Sequence, residues 1–217
     1  MKEIKHKPVI IIGGGGHAKV LADCLMLNNK EIIGFTDPDP SSRDNLATYN
    51  INCLGSDEQI LKYLQDEVLL VNGIGGVEKL SPREIIYTSF LAKEYAFALV
   101  IHPSAIIAND VLLKEGVQIM AGAVIQPGVV IGANSIINTN ASIDHDSFIG
   151  KNAHIALGTV FSGSVKVGDN TFIGAGSTVL QGIQIGKNVM IGAASLVNSN
   201  IPDYAKAYGV TAKVVKT

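Results

Sequence analysis

The hydrophobic positions of this chain obey two different rules. In the second half an apolar residue stands at every sixth position: Ile107, Leu113, Ile119, Ile125, Ile131, Ile137, Ile143, Ile149, Ile155, Phe161, Val167, Ile173, Val179, Ile185, Ile191 and Val197. Two places before each stands Ala, Val, Ser, Thr or Ile, from Ala105 to Ser195, so these positions admit only small or β-branched side chains. A period of six matches neither the 3.6 of a helix nor simple alternation. It fits a prism in which one hexad forms a flat side and three form a coil. Sixteen such positions make about five coils of parallel β-helix, each burying its aliphatic residues against the next. Gly132, Gly150, Gly168 and Gly186 recur once per coil along one edge. No insertion interrupts the repeats, so chemistry is expected on the faces or between subunits rather than in a long loop.

The first hundred residues alternate short apolar runs with helical spacing. Strands are predicted over 8–12, 31–36, 67–73 and 96–101. Helices are predicted over 17–29, with Val20, Leu21, Cys24 and Leu27 on one face, and over 56–65, opened by a Ser-x-x-Gln capping box. A third is predicted over 81–94, with Ser81 as its cap and Pro82 at its first position. This grammar gives a small open parallel α/β sheet. The expected organisation is therefore a Rossmann-like domain over 1–101 and a parallel β-helix with a C-terminal tail over 102–217.

Composition narrows the function classes. The chain is 47% hydrophobic and 17% charged, with a formal charge of −2, which suits a compact soluble fold. Lys and Arg cluster nowhere beyond the first seven residues, which argues against a nucleic-acid or anionic-membrane face. Residues 116–143 carry no charge, but Pro127, Gly128, Gly132, Asn134, Asn138 and Asn140 are too dense for a membrane helix. No membrane insertion is expected. The basic start lacks the long apolar region of a signal peptide, so a cytoplasmic location is expected. Cys24 and Cys53 lack metal-type spacing and read as reduced, structural thiols.

The stretch "IIIGGGGHAKVL" places four glycines between a strand and a helix. Gly13, Gly15 and Ala18 satisfy G-x-G-x-x-A, and Asp37 follows at the end of the second strand, as in dinucleotide-binding folds. A loop without Cβ atoms at a helix N-terminus receives phosphate oxygens. A nicotinamide or flavin usually needs a second mononucleotide-binding half, and about a hundred residues are short for it. One diphosphate carrying a base and a sugar fits better.

Five histidines are present, at 6, 17, 102, 145 and 154. His6 lies in the basic start and His102 precedes Pro103 at the junction of the halves. His145 and His154 interrupt the repeats off the sixfold positions and stand nine residues apart, half a coil, which places them on different sides of one prism. His145 lies within Asp144-His145-Asp146. In isolation that triplet reads first as a solvated turn between hexads; its charge-poor setting favours chemistry. A carboxylate on one ring nitrogen fixes the tautomer and stabilises imidazolium, and imidazole is a base of near-neutral pKa. A zinc site built from three histidines is disfavoured because no close histidine pair exists, so no metal is expected.

On these residues the sequence resembles the hexapeptide-repeat, left-handed β-helix acyltransferases over roughly 101–217. With "GGGGHAK" and "GFTD" added, it resembles over nearly its whole length the sugar acetyltransferases of the sialic-acid O-acetyltransferase and bacillosamine-pathway UDP-4-amino-sugar N-acetyltransferase subgroup. The left hand of the helix, a homotrimer and acetyl-CoA as co-substrate between neighbouring helices come from this resemblance alone. So do the roles of the residues. His145 is the implied base and Asp146 its orienting acid; His154 and Gly163 contact acetyl-CoA, the Gly163 amide serving the oxyanion. Gly15, Gly16, His17, Asp37 and Asn138 hold the nucleotide-sugar, with Lys19 a phosphate partner. The implied reaction is direct acetyl transfer to the amino group of a UDP-4-amino-4,6-dideoxy sugar for bacterial surface glycans. O-acetylation of sialic acid, or N-acetylation of a GDP- or dTDP-amino-sugar, is the enzymatic alternative. A non-catalytic nucleotide-sugar-binding scaffold trimer is the alternative from another class. Thr211 stands where the family commonly has proline in Gly-x-Pro-Ala, which puts the local geometry of that segment in question.

Overall fold

The computed structural model describes residues 7–76 and 82–215. These form two compact units, one of residues 7–75 and 82–103, the other of residue 76 and 104–215.

In the first unit, β1 (Val9–Ile12) leads through the glycine loop into α1 (Gly16–Leu27), followed by β2 (Ile32–Thr36), β3 (Cys53–Gly55), β4 (Leu69–Asn72), α2 (Pro82–Leu91) and β5 (Val100–Ile101). The four-stranded sheet runs β3-β2-β1-β4, all parallel, and β1 is completely buried at its centre. An apolar run without alternation is what a strand covered on both faces requires.

Local chemistry departs from the sequence expectation at several points. The buried stripe of α1 is Ala18, Leu21, Ala22 and Leu25, joined by Cys24, while Val20 and Leu27 are exposed. Small alanines, rather than the bulkiest residues, let this helix approach the sheet closely. Residues 57–62 form a 3-10 helix, and Ser56 makes no side-chain capping bond. Instead Asp57 accepts from the Thr36 hydroxyl at 2.6 Å and ties this turn to the end of β2. The run over 96–101 contributes one bridge, Phe97 to Leu70, before β5. Pro82 opens α2, and Ser81, like His6, lies outside the described residues. Both cysteines are free, and burial pushes the Cys24 thiol up to about 11.

The second unit is a left-handed parallel β-helix. Among the described residues, sixteen two-residue strands begin at every sixth position from Ile106 to Leu196. The first thirteen, up to Thr178–Val179, each pair with the strand eighteen residues on, in parallel and without slippage, giving three stacked faces, and the last coil closes with a shorter step, Met190 pairing with Lys206. The second residue of each strand is the sixfold apolar position, buried from Ile119 to Val197. Ile107 and Leu113 of the first coil are only half-buried.

A second sixfold series lies at the corners. Gly116, Gly122, Gly128, Asn134, Asn140, Asp146, Asn152, Gly158 and their successors to Ala194 all have positive φ. Glycine, asparagine and aspartate tolerate this left-handed conformation best, which explains their dominance there. The Asn134 side-chain amide donates to Asn152 Oδ1 at 2.9 Å, and Asn152 donates to Asn170 Oδ1 at 3.0 Å, so one corner carries a ladder. The glycine edge has a different cause. A Cβ on Gly150 would lie 2.6 Å from the Asp169 nitrogen and 2.7 Å from the Gly168 carbonyl carbon, so backbone there stacks on backbone. Lys206–Tyr208 and Lys213–Val215 close the stack as an antiparallel pair, Thr211 lying in the turn between them.

Candidate active site

His145 occupies a corner of the helix, between the strand Ser142–Ile143 on one face and Phe148–Ile149 on the next. Ile143 and Ile149 are fully buried, whereas His145 and Asp146 have side chains 50% and 69% exposed. The register thus displays the dyad without interrupting the core. Asp146 is the corner residue itself, with φ +58°, and its backbone N–H donates to Pro127 O of the coil below at 3.0 Å.

That corner conformation folds the carboxylate back onto its neighbour. His145 Nδ1 meets Asp146 Oδ2 at 2.8 Å, whereas Asp144 Oδ1 accepts from the His145 backbone N–H at 2.7 Å. The two aspartates therefore do different things: Asp144 caps the turn and Asp146 orients the ring. Both act on the imidazole electrostatically. The hydrogen bond accepted by Asp146, and next the charge of Asp144, hold its pKa above the ordinary histidine value. With Nδ1 engaged by a carboxylate, Nε2 is the nitrogen left for proton transfer.

One coil above, buried Gly163 stands beside that nitrogen. A Cβ on Gly163 would lie 2.5 Å from His145 Nε2 and 2.6 Å from Cε1, so only glycine leaves the ring its place. Ser164 N–H donates to His145 O at 2.8 Å and fixes the two coils together. Among the described residues no acceptor is found for the Gly163 N–H, in contrast to its neighbours Ser162 and Ser164. His145 Nε2 and the backbone of Gly163 thus lie side by side, the Gly163 amide being uncommitted among the described residues.

His154 is not part of this dyad. It opens a strand on the third face, paired with Ile136 and Phe172, and its ring meets Phe172 edge-on at 5.2 Å between centroids. Its partner is Asn138, also among the sequence-derived site residues. Asn138 Nδ2 donates to His154 Nε2 at 3.2 Å, and Asn138 Oδ1 accepts from Thr139 N–H at 2.8 Å, which fixes the amide orientation. His154 Nδ1 meets Gly76 O at 2.7 Å. A carbonyl only accepts, so Nδ1 is the donor in this contact.

In the first unit, the glycine loop and Asp37 come together, but through a residue that sequence reasoning passed over. Gly14 N–H donates to Asp37 Oδ2 at 2.9 Å, Asp39 N–H donates to Oδ1 at 2.9 Å, and the Asn45 side-chain amide donates to Gly14 O at 2.9 Å. A Cβ on buried Gly14 would strike the Phe35 ring at 2.6 Å. Gly15 caps α1 in extended conformation without a side-chain bond; Gly15, Gly16 and Lys19 are exposed and His17 half-buried. No atom lies within 4 Å of a Cβ placed on Gly15 or Gly16, so their surface faces open space. The loop therefore presents bare backbone at a helix N-terminus, with Asp37 already holding its inner turn. Near the end of β4, buried Arg83 donates to Asn72 O and Ile74 O, both at 2.8 Å, and burial pushes its pKa down to about 9. A lone arginine in a helical stretch gives no signal of that role.

Among the described residues, no group of three or more His, Cys, Asp or Glu is arranged to hold a metal ion. Among them, too, no helix is long and apolar enough to cross a membrane.

Comparison with known proteins follows the same division of the chain. Residues 8–88 match the PglD N-terminal domain, and 110–145, 146–181 and 164–199 match the bacterial transferase hexapeptide of six repeats. No curated protein sequence matches. Among solved structures, a histidine-to-asparagine variant of perosamine N-acetyltransferase from Caulobacter crescentus, in complex with CoA and GDP-perosamine, is 31% identical. The match covers 97% of this chain and 97% of that one, with a TM-score of 0.85. The acetyltransferase domain of PglB from Neisseria gonorrhoeae, in complex with acetyl coenzyme A, is 25% identical over 97% of this chain and 100% of its own, with a TM-score of 0.85. WeeI from Acinetobacter baumannii shares the fold at 17% identity and a TM-score of 0.76, over 97% of this chain and 100% of its own.

Proposed function

The chain belongs to the hexapeptide-repeat, left-handed β-helix sugar acetyltransferases, and from that premise we propose that it transfers acetyl from acetyl-CoA to the amino group of a nucleotide-activated amino-sugar. The observation that carries this reading is the corner where His145 Nε2 and the Gly163 backbone lie side by side, with Asp146 behind the ring.

In this reading the acceptor is a UDP-4-amino-4,6-dideoxy sugar destined for a bacterial surface glycan, and the enzyme works as a cytoplasmic homotrimer. The bare amides of Gly15 and Gly16, with His17 and Asp37, hold the nucleotide part in the 1–101 domain. Asn138 faces the sugar. His154, whose ring nitrogens are both engaged, touches acetyl-CoA through its ring. The sugar amine attacks the thioester carbonyl, and the Gly163 N–H receives the developing oxyanion. His145 Nε2 removes the amine proton, and Asp146 stabilises the imidazolium. Collapse of the tetrahedral intermediate breaks the carbon–sulfur bond, and the proton on His145 passes to the departing thiolate. One amide and one CoA thiol result, and no covalent enzyme intermediate is needed.

A GDP-linked acceptor is the second reading, favoured by the 31%-identical relative crystallised with GDP-perosamine. Steady-state assays with acetyl-CoA and a panel of UDP-, GDP- and dTDP-amino-sugars decide between them. Turnover is expected with the UDP-4-amino-sugar above the others. Turnover of free sialic acid with none of the amino-sugar nucleotides would sink both readings.

The pH profile supplies a second test. The free base is the active form, so kcat/KM rises as pH passes through the His145 pKa. Asp146 raises that pKa more than any other group does. Asp146→Asn is therefore expected to move the ascending limb to lower pH while kcat falls, because the ring loses its fixed tautomer. An unmoved limb would remove Asp146 from the dyad.

A further inference from the structure

We propose that Gly128 is a positioning residue for this reaction: its missing side chain leaves the space in which the Asp146 carboxylate stands while it holds His145. Gly128 is the corner residue one coil below Asp146. A Cβ there would lie 2.6 Å from Asp146 Oδ1 and 3.4 Å from the Asp146 nitrogen. Its own backbone N–H donates to Asp110 Oδ2 at 3.0 Å, and the Pro127 carbonyl just before it accepts from the Asp146 N–H at 3.0 Å, so backbone bonds hold this corner from both sides. The carboxylate, not the backbone, is what must move if the space is filled.

Positive φ alone does not require glycine here. Gly128 has φ +76°, but Asn134, Asn140 and Asn152 occupy equivalent corners with φ of 55–57°. Where asparagine sits below asparagine at Asn134/Asn152 and Asn152/Asn170, the two side chains bond to each other along the helix. In Gly128→Asn the introduced amide would bond to Asp146 in the same way and draw its carboxylate away from Nδ1. The dyad is thus framed by two glycines, Gly163 above making room for the imidazole and Gly128 below making room for the carboxylate.

This inference rests on the reading of His145 as the base, and its test separates the two. Gly128→Ala and Gly128→Asn are compared with Gly176→Ala, a corner with φ +67° and no atom within 4 Å of the added Cβ. That control carries the backbone strain alone. Each variant is assayed for kcat and for the KM of acetyl-CoA, and the His145 ring is titrated by NMR without substrate. The charged groups acting on that ring are Asp144 and Asp146 on its own corner; Asp110 stands two coils below, beneath Gly128, and Gly163 and Ser164 above carry no charge.

Both Gly128 variants are expected to lose about 10²-fold in kcat, the scale of a small misplacement of a catalytic group, with KM unchanged. Their His145 midpoint falls because the Asp146 bond is lost while Asp144 remains. Gly176→Ala keeps the wild-type kcat and midpoint, and Gly128→Ala costs nothing further on an Asp146→Asn background. A wild-type midpoint in both Gly128 variants, an equal loss in Gly176→Ala, or additive losses with Asp146→Asn would each overturn the proposal. The NMR midpoint judges Gly128 even if His145→Ala retains turnover, an outcome that strikes the base alone.

Discussion

Replacing His145 by alanine is expected to lower kcat by about 10²–10⁴-fold, the contribution of a positioned general base. The fold does not depend on this side chain. It stands half-exposed at a corner, and the strands on either side are held by buried Ile143 and Ile149 and by backbone bonds to neighbouring coils. Exposed substitutions of this kind usually change stability by no more than about 0.5 kcal/mol. Thermal midpoint and sedimentation of His145→Ala should therefore match the wild type, and the loss should appear in kcat. A wild-type kcat with an intact fold would remove the base and favour a scaffold that binds nucleotide-sugars without acting on them.

The two halves of the molecule differ in how plainly their sequence announces them. The β-helix is legible because one constraint repeats without interruption: each sixth residue must fill the prism, and the residue two before it must be small or β-branched. The corners are equally present in the sequence as a sixfold series mostly of Gly, Asn and Asp, but their meaning depends on φ, which is set only in the folded backbone. This bears on Asp146. Its residue type suits a left-handed corner regardless of catalysis, and only the 2.8 Å contact with Nδ1 separates it from Asn140 or Asn152, which serve the corner alone.

The α/β unit is readable at its centre and less so at its rim. β1 announces itself as four consecutive buried aliphatics, while β3 has three half-buried residues at the sheet edge, too few for any alternation. Likewise the run at 56–65 has helical spacing, yet Asp57 is drawn to Thr36 and the segment closes as a 3-10 turn. Among the site residues, the partnership of Asn138 with His154 lies beyond sequence reasoning. It joins residues sixteen apart whose proximity follows from the eighteen-residue coil, and it occupies a ring nitrogen that spacing alone would leave open.

The second large effect is expected at Gly163, where the smallest possible side chain should cost about 10²-fold in kcat. What surrounds the added carbon decides this. Gly163 does not have positive φ, so alanine suits its backbone, and the atoms the new Cβ would meet belong to one movable ring, His145 Nε2, Cε1 and Cδ2 at 2.5, 2.6 and 3.1 Å. The ring must swing aside, which either breaks its bond to Asp146 or turns Nε2 away from the amide. The amide N–H itself survives the substitution, so a loss reports ring placement rather than removal of the oxyanion donor. Gly150 provides the contrast, because a Cβ there meets the backbone of the next coil, which has nowhere to go. Gly163→Ala should thus melt within a few degrees of the wild type, while Gly150→Ala melts well below it. A Gly163→Ala enzyme with undiminished kcat would mean that the reacting groups do not use the Nε2 side of His145, and the proposed geometry of transfer would have to be abandoned.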